Sequence, residues 1–278
     1  MLPALRSQQT RMLEHIPSLM NGIKMIHVVS QYYNTSERTS SLLLKVTNQM
    51  ISTCRSYLLQ GVRRVWEHSR PVLLQRISDC CNLNAVYQRS FHSVRDKLRG
   101  NPENRQFDFS ENYIFGKFDS FCRRLEKMAD MASTLESLAA LQSMKVEGVE
   151  KICVRYQTIV STTESKTCDV LDQRKLEFDR DYADFQLQVQ SVFQCLRSLL
   201  DDWFSRPVST QRLLELLAMF ESGPLARLDL RQYYLLLLQR YSRDLELLRK
   251  TYQKHKDRPP IGRNLLPGPL EPPALQEG

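Results

Sequence analysis

The chain has 278 residues, of which 42% are hydrophobic and 25% charged, with a net charge of +8 and a pI near 9.2. This length can bury a substantial core, and the composition is ordinary for a soluble protein. No apolar run approaches the roughly 20 residues that a membrane-spanning helix requires, and the polar N-terminus lacks the apolar centre of a secretory signal. We therefore expect a soluble cytoplasmic protein without a membrane span.

The 39 basic residues are dispersed along the chain rather than gathered in one dense run. A basic balance is typical of proteins that bind nucleic acid, anionic membranes or acidic proteins. Dispersed charge favours solvated helix faces, and an acidic partner surface is the alternative.

Glycine and proline are scarce before the C-terminus, which favours long helices over strands. We predict a first helical region over residues 4–33, kinked or restarted at Pro17. Asn34, with Glu37 after it, predicts the N-cap of a second helix. Its apolar stripe consists of Leu43, Val46, Met50, Cys54 and Leu58. Beyond Gly61 a third stripe consists of Leu83, Tyr87, Phe91, Val94 and Leu98.

The segment 107–131 predicts a capped amphipathic helix with an aromatic stripe. Ser110 is the expected N-cap, and Glu111 places negative charge in the first turn, where it suits the helix dipole. Apolar residues follow at three- and four-residue steps, namely Ile114, Phe118, Phe121, Leu125, Met128 and Ala132. Arg123, Arg124 and Lys127 fall off this stripe. The Phe115–Leu125 face is therefore a predicted packing surface.

The second half has the clearest helical periodicity. An a/d heptad seam runs over residues 178–203, through Phe178, Tyr182, Phe185, Val189, Val192, Leu196, Leu199 and Trp203. We expect this helix to extend upstream to about Val149. The seam must pack on another helix of this chain or of a partner, and its aromatic residues favour a helical bundle.

A short helix is predicted from Pro207 and Ser209 to Gly223–Pro224. The final helix carries the stripe Leu230, Tyr234, Leu237, Tyr241, Leu245, Leu248 and Tyr252. The sequence thus predicts an all-α fold, an elongated stack of helical bundles with long amphipathic, coiled-coil-like helices over residues 1–256. Residues 257–278 hold six prolines and predict a disordered tail.

We find no pattern typical of a catalytic or cofactor site. Phosphate-binding glycine loops, serine-hydrolase elbows and His/Cys metal spacings are absent from the sequence. His92 and Asp96 predict a surface hydrogen bond, and Asp201–Asp202 predict ion pairs with Arg197 and Arg206.

The seven cysteines form no C-x-x-C pair, so we expect reduced thiols. Cys80–Cys81 predict buried thiols, with redox sensing as the alternative. We therefore predict no catalytic, cofactor-binding or metal-binding residue, and no enzyme activity.

Several segments resemble one known family in the family's own order. QFDFSENYIFGKFDSFCRRL (residues 106–125) closely resembles the central part of the N-terminal tail of axonemal dynein heavy chains. The likeness extends to VVSQYYNTSERTSSLLLKVTNQMISTCRSYL (residues 28–58), LNAVYQRSF (residues 83–91) and the double-proline element DRPPIGRNLLP (residues 257–267). It covers roughly residues 1–267. Thereafter the sequence departs from the family's further helical segment, which suggests a truncated or splice-variant chain without the motor.

The resemblance implies an assembly role and carries over no catalytic residue. Dynein tails join heavy chains to each other, hold intermediate, light and light intermediate chains, and dock the complex. It implies location in the cytoplasm, at the ciliary axoneme and cytoskeleton, with indirect microtubule association, no membrane partner and no expected nucleic acid. Two alternatives remain: a general helical scaffold or tethering protein, and a basic helical binder of microtubule or nucleic-acid surfaces.

Overall fold

A computed structural model of the chain describes residues 2–33, 35–99, 107, 109–166, 169–172, 175–221 and 228–257. These residues form α-helices and two short 3₁₀ turns, with no β-strand among them, which confirms the predicted all-α class. The helices are α1 (Leu2–Val29), α2 (Ser36–Leu58), α3 (Arg70–Arg99), α4 (Glu111–Ala139), α5 (Val149–Ser165), α6 (Glu177–Ser205), α7 (Thr210–Glu221) and α8 (Arg231–His255).

The chain divides into two compact units, residues 1–199 and 200–278. In the first unit α3 packs against α1, α2 and α4, and α4 also packs against α2. In the second unit α7 packs against α8. The predicted regions 1–256 and 257–278 and the elongated stack stay predictions, because residues 258–278 lie outside the described part of the chain.

The first helix continues through Pro17, so the predicted restart there is wrong. Pro17 lies on the exposed side of α1, where water can satisfy the carbonyl that loses its N–H partner. The opposite side buries Ile16, Met20, Ile23 and His27. α1 ends at Val29 rather than at the predicted residue 33.

The N-cap of α2 is Thr35, whose hydroxyl accepts a hydrogen bond from the Arg38 backbone N–H at 3.4 Å. The predicted cap, Asn34, lies outside the described residues. Four of the five predicted stripe residues are buried, but Val46 is half-buried and Thr47 takes its place in the core. Thr47 satisfies its hydroxyl locally by donating to the Leu43 carbonyl at 3.1 Å.

A sharp turn separates α2 from α3. Gly61 adopts φ +83°, a left-handed conformation that favours glycine, and Pro71 occupies the first turn of α3. All five predicted stripe residues of α3 are buried, namely Leu83, Tyr87, Phe91, Val94 and Leu98. The periodicity therefore located the core face of this helix correctly.

The aromatic helix α4 begins after Ser110, as predicted, and all six residues of its predicted stripe are buried. Ser110 makes no side-chain cap hydrogen bond; its carbonyl accepts from the Ile114 N–H at 3.2 Å. Phe91 lies 5.2 Å from Phe115 and 5.6 Å from Phe107, measured between ring centroids. Edge-to-face packing of such rings stabilises the core beyond the area that they bury.

The predicted single helix from Val149 to the end of the seam is wrong, because two helices occupy this stretch. α5 begins at Val149 as expected but ends at Ser165, and α6 begins at Glu177. Val170 and Leu171 of the connection are buried. The connection is thus fixed by tertiary packing rather than by the glycine or proline that would signal a break in the sequence.

The heptad seam of α6 packs within this chain over most of its length. Phe178, Phe185, Val189, Val192 and Leu196 are buried, while Tyr182 and Leu199 are half-buried. At the C-terminal end Leu200 is buried instead of Leu199. An α-helix of 3.6 residues per turn drifts relative to a strict heptad, which explains this one-residue shift.

In the second unit, α7 begins one residue after Ser209, whose hydroxyl accepts from the Arg212 N–H at 3.4 Å. This confirms the predicted start of the short helix, and its predicted end at Gly223–Pro224 lies outside the described residues. α8 spans Arg231–His255, as the final stripe predicted. No helix in the described ranges is both long and apolar enough to cross a membrane.

Candidate interaction surface and buried polar sites

The two surfaces predicted for packing are largely covered by the chain itself. Phe118, Phe121 and Leu125 of the aromatic helix are buried, as are Phe178 and Phe185 of the α6 seam. These residues therefore stabilise the chain's own fold.

Arg124 is buried, although its sequence position off the apolar stripe predicted a solvated side chain. The residue is only 5% exposed. Its guanidinium donates to the Lys175 carbonyl at 2.8 Å and to the Asp172 carbonyl, and it lies 5.0 Å from the ring centroid of Phe178. Arg124 thus binds the backbone of the α5–α6 connection to α4. Only the five-donor fork of arginine can satisfy several carbonyls at once.

Asp179, whose side chain is partly exposed, completes this site at the start of α6. Its carboxylate accepts from Lys127 Nζ at 2.7 Å and from Arg124 Nη2 at 3.3 Å. The hydrogen bond from Lys127, together with the positive charges of Lys127 and Arg124, holds the pKa of Asp179 below its ordinary value. The site is structural, because each of its donors is engaged with a protein acceptor.

A second polar contact fixes the register of α3 against α4. The Asn84 and Gln88 side-chain amides both donate to Asp119 Oδ1, at 2.8 and 2.6 Å. Near the other end of this helix pair, His92 Nδ1 lies 3.5 Å from Glu111 Oε1. His92 thus faces a residue of α4, its Nδ1 makes no hydrogen bond to a described residue, and the surface hydrogen bond predicted with Asp96 is not observed. The two helices run antiparallel.

Positions in α8 that sequence periodicity assigned to an apolar stripe are largely exposed. Only Tyr233 and Leu237 are buried among the described residues of this helix. Leu230 and Tyr234 are half-buried, and the last four predicted positions, together with the unpredicted Leu238, form an exposed a/d seam on one face, which we call the α8 seam. It consists of Leu238, Tyr241, Leu245, Leu248 and Tyr252, which are 62%, 52%, 48%, 65% and 70% exposed.

The α8 seam differs from scattered surface hydrophobic residues because its members repeat at steps of three and four over about four turns. Such a helix face is normally buried against another helix. The segment 231–256 is basic as a whole, but the charged residues that lie beside the seam are Arg249, Lys256 and Asp244, whereas Arg243, Lys250 and Lys254 lie on the opposite face. A basic helix with an apolar seam is complementary to an acidic amphipathic helix.

The described residues include no group of His, Cys, Asp and Glu side chains that could hold a metal ion.

Arg206 pairs with Asp202 at 2.6 Å, which confirms the ion pair predicted for these two residues. Asp201 accepts from the Tyr233 hydroxyl at 2.8 Å. Cys80 is buried and Cys81 is half-buried. The prediction that the chain has no catalytic or cofactor-binding residue stays a prediction.

Two clefts adjoin Trp66, with volumes of about 110 and 420 Å³. In the smaller one, the Lys166 ammonium pairs with the Asp181 carboxylate. In the larger one, Arg70 donates to the Leu135 carbonyl at 3.3 Å. Lys166, Asp181 and Arg70 are thus engaged in packing within these clefts.

Comparison with known proteins places the sequence in one family. Residues 4–268 match the family model described as "Dynein heavy chain, N-terminal region 1". Dynein axonemal heavy chain 5 of Mus musculus is 38% identical over 266 residues, 95% of this chain. Dynein axonemal heavy chain 8 of Homo sapiens is 37% identical over 92% of the chain. The dynein gamma chain of the flagellar outer arm of Chlamydomonas reinhardtii is 29% identical over 96%.

The chain spans only 6% of the length of each of these three relatives. The match lies in an N-terminal region of the family, outside its ATPase motor. The similarity therefore identifies a tail region, and what the whole relatives do in the cell is a separate question.

Proposed function

The chain belongs to the dynein heavy chain family, as part of its N-terminal region, and on that premise we propose that it is a non-catalytic assembly segment of an axonemal dynein tail. Its role is to associate with other heavy-chain tails and with intermediate, light and light intermediate chains. It acts in microtubule-based movement of cilia, where its association with microtubules is indirect. The family match over residues 4–268 is the observation that carries this proposal.

The α8 seam is the surface through which we propose that assembly occurs. Its occupant is an acidic amphipathic helix of another dynein chain, whose apolar seam packs on the α8 seam. A second copy of this chain fits poorly, because it would bring two basic helices together on a chain of net charge +8. The aromatic face of α4 and the α6 seam are already covered by the chain itself.

The test measures binding of the purified chain to separately purified dynein intermediate chain, light chains and heavy-chain tails, using sedimentation and calorimetry. Leu245→Ser combined with Leu248→Ser removes two apolar contacts from the α8 seam. Burying one leucine side chain stabilises a complex by about 1.5–3 kcal/mol, so the double variant should weaken binding at least ~100-fold.

Leu187→Ser is the matched control, since Leu187 is 64% exposed on α6 and is not a member of the α8 seam. It should bind as the unaltered chain does. If the chain binds a dynein subunit and the double variant binds equally well, the assembly role stands and the assignment of the α8 seam is wrong.

If the chain binds no dynein subunit, the assembly role itself is wrong. A folded chain that ignores dynein subunits would indicate a general helical scaffold. Binding to microtubules or nucleic acid that weakens steeply with added salt would indicate the basic-binder alternative, because counterion release produces that dependence.

A further inference from the structure

Four of the seven cysteines lie in one layer where α2, α3 and α4 pack together. Asn84 of α3 donates to Asp119 of α4 at 2.8 Å. Cys81 lies three residues before Asn84 on α3, and Cys122 lies three residues after Asp119 on α4. Because the helices are antiparallel, both steps lead in the same direction along the helix pair. These two thiols are therefore opposite each other, one helical turn from a fixed contact.

Cys54 and Cys80 belong to the same layer on its α2 side. Lys117 of α4 donates to Asn48 of α2 at 2.6 Å. Cys54 lies six residues after Asn48 on α2, and Cys122 lies five residues after Lys117 on α4. The thiols interact as two pairs, Cys80 with Cys54 and Cys81 with Cys122. They do not form a metal-holding group among the described residues, and all four are reduced.

The two pairs differ in access and in acidity. Cys54 and Cys80 are both buried, and the hydrogen bond between them together with burial raises the pKa of Cys80. Cys81 is half-buried, and a hydrogen bond from Cys122 lowers its pKa. The same hydrogen bond and burial raise the pKa of Cys122. Cys81 is the more accessible sulfur of its pair, because Cys122 is buried, and access to solvent favours its reaction with a small oxidant.

We propose that Cys81 and Cys122 are a redox pair that hydrogen peroxide converts into a reversible disulfide between α3 and α4. The Cys81 thiolate attacks one peroxide oxygen, the O–O bond breaks, and the released hydroxide takes a proton to become water. Cys122 then attacks the Cys81 sulfenic acid, forms the S–S bond and expels hydroxide, which leaves as water with the Cys122 proton. Overall, two thiols lose two electrons and one peroxide is reduced to two waters.

The experiment treats the purified full chain with graded hydrogen peroxide, alkylates the remaining thiols and maps tryptic peptides by mass spectrometry. Cys122 falls in residues 118–123, whereas Cys80 and Cys81 share residues 77–89 and must be separated by fragmentation. We expect the first cross-link to join Cys81 to Cys122 and to disappear on treatment with dithiothreitol.

Two variants sharpen the test. Cys122→Ser should abolish the cross-link and leave a Cys81 sulfenic acid that dimedone traps, whereas Cys54→Ser removes the other pair and should leave the cross-link intact. Circular dichroism of the reduced variants checks their fold, and the unaltered chain's peptide map decides alone if a variant does not fold.

A first disulfide that joins Cys80 to Cys81 or Cys80 to Cys54 would overturn the proposal. The same holds if Cys81 oxidises to sulfinic acid while Cys122 stays a free thiol, or if Cys195 reacts and Cys81 does not.

Discussion

The most specific prediction concerns Arg124, whose burial holds the α5–α6 connection against α4. Arg124→Met keeps the aliphatic stem beside Phe178 and removes every donor. The carbonyls of Asp172 and Lys175 then lose their charged partner, as does the Asp179 carboxylate. Removing one member of a buried charged network destabilises a protein by about 3–5 kcal/mol.

The lower part of that range is the better expectation, because the Asp179 side chain is 41% exposed and water can replace part of its contact. A loss of about 3 kcal/mol should lower the melting temperature by roughly 10 °C for a unit of this size. Arg124→Lys keeps the charge but cannot serve several carbonyls, and we expect about half of the loss. Urea and thermal unfolding followed by circular dichroism measure both changes.

Arg123→Met is the matched control, because Arg123 is exposed on the same helix and donates to Ser120 Oγ at 3.1 Å. It should change the free energy of unfolding by less than about 0.5 kcal/mol. If Arg124→Met is as mild as Arg123→Met, the buried guanidinium does not hold the connection and our reasoning is refuted.

Three further predictions follow from the same packing and hydrogen bonds. Phe118→Ala should destabilise by about 3–5 kcal/mol in urea unfolding, whereas Tyr113→Ala, at a 53% exposed site on α4, should be nearly neutral; equal effects would contradict the assigned core face. Burial and the hydrogen bond to Asp79 raise the pKa of Tyr57 from 10.0 to about 12, so its contribution to stability is present below pH 10 and is lost towards pH 12. Tyr57→Phe should flatten the dependence of the free energy of unfolding on pH above pH 10. An unchanged slope there would contradict the raised pKa of Tyr57. The lowered pKa of Asp179 gives the opposite pH dependence: the contribution of its carboxylate to stability is present above its ordinary pKa of 3.8 and is lost as the pH falls below that value. Asp179→Asn should remove this acid dependence of the free energy of unfolding.

Helical periodicity predicted the buried face of a helix correctly where a single apolar stripe packs against a single core. The stripes of α3 and α4 are buried at every predicted position, because apolar residues at three- and four-residue steps can be covered only along one face. A helix start at Val149 was also predicted, although that helix was expected to continue into α6.

The break between α5 and α6 could not be predicted, because it contains no glycine or proline in residues 166–176. Arg124 holds the connection between the two helices. A single arginine beside an apolar stripe carries no sequence signal that its side chain is buried. The Cys81–Cys122 pair was missed similarly, since 41 positions separate the two residues and only the α3–α4 register brings them together.

The α8 seam shows the remaining limit of sequence patterns. Its stripe has the same spacing as the α6 seam, yet the α6 seam is mostly buried and the α8 seam is exposed. Spacing identifies a face that should be buried, and only the tertiary structure indicates whether the chain itself covers it.

The central claim is that the α8 seam binds another dynein chain. A photo-crosslinking residue at position 245, expressed in ciliated cells, tests it most directly, with position 187 as the control site. We predict a cross-link from position 245 to a dynein subunit, through an acidic amphipathic helix, and none from position 187. Cross-links from position 245 to tubulin, to nucleic acid or to a second copy of this chain would contradict the claim, as would equal cross-linking from both positions.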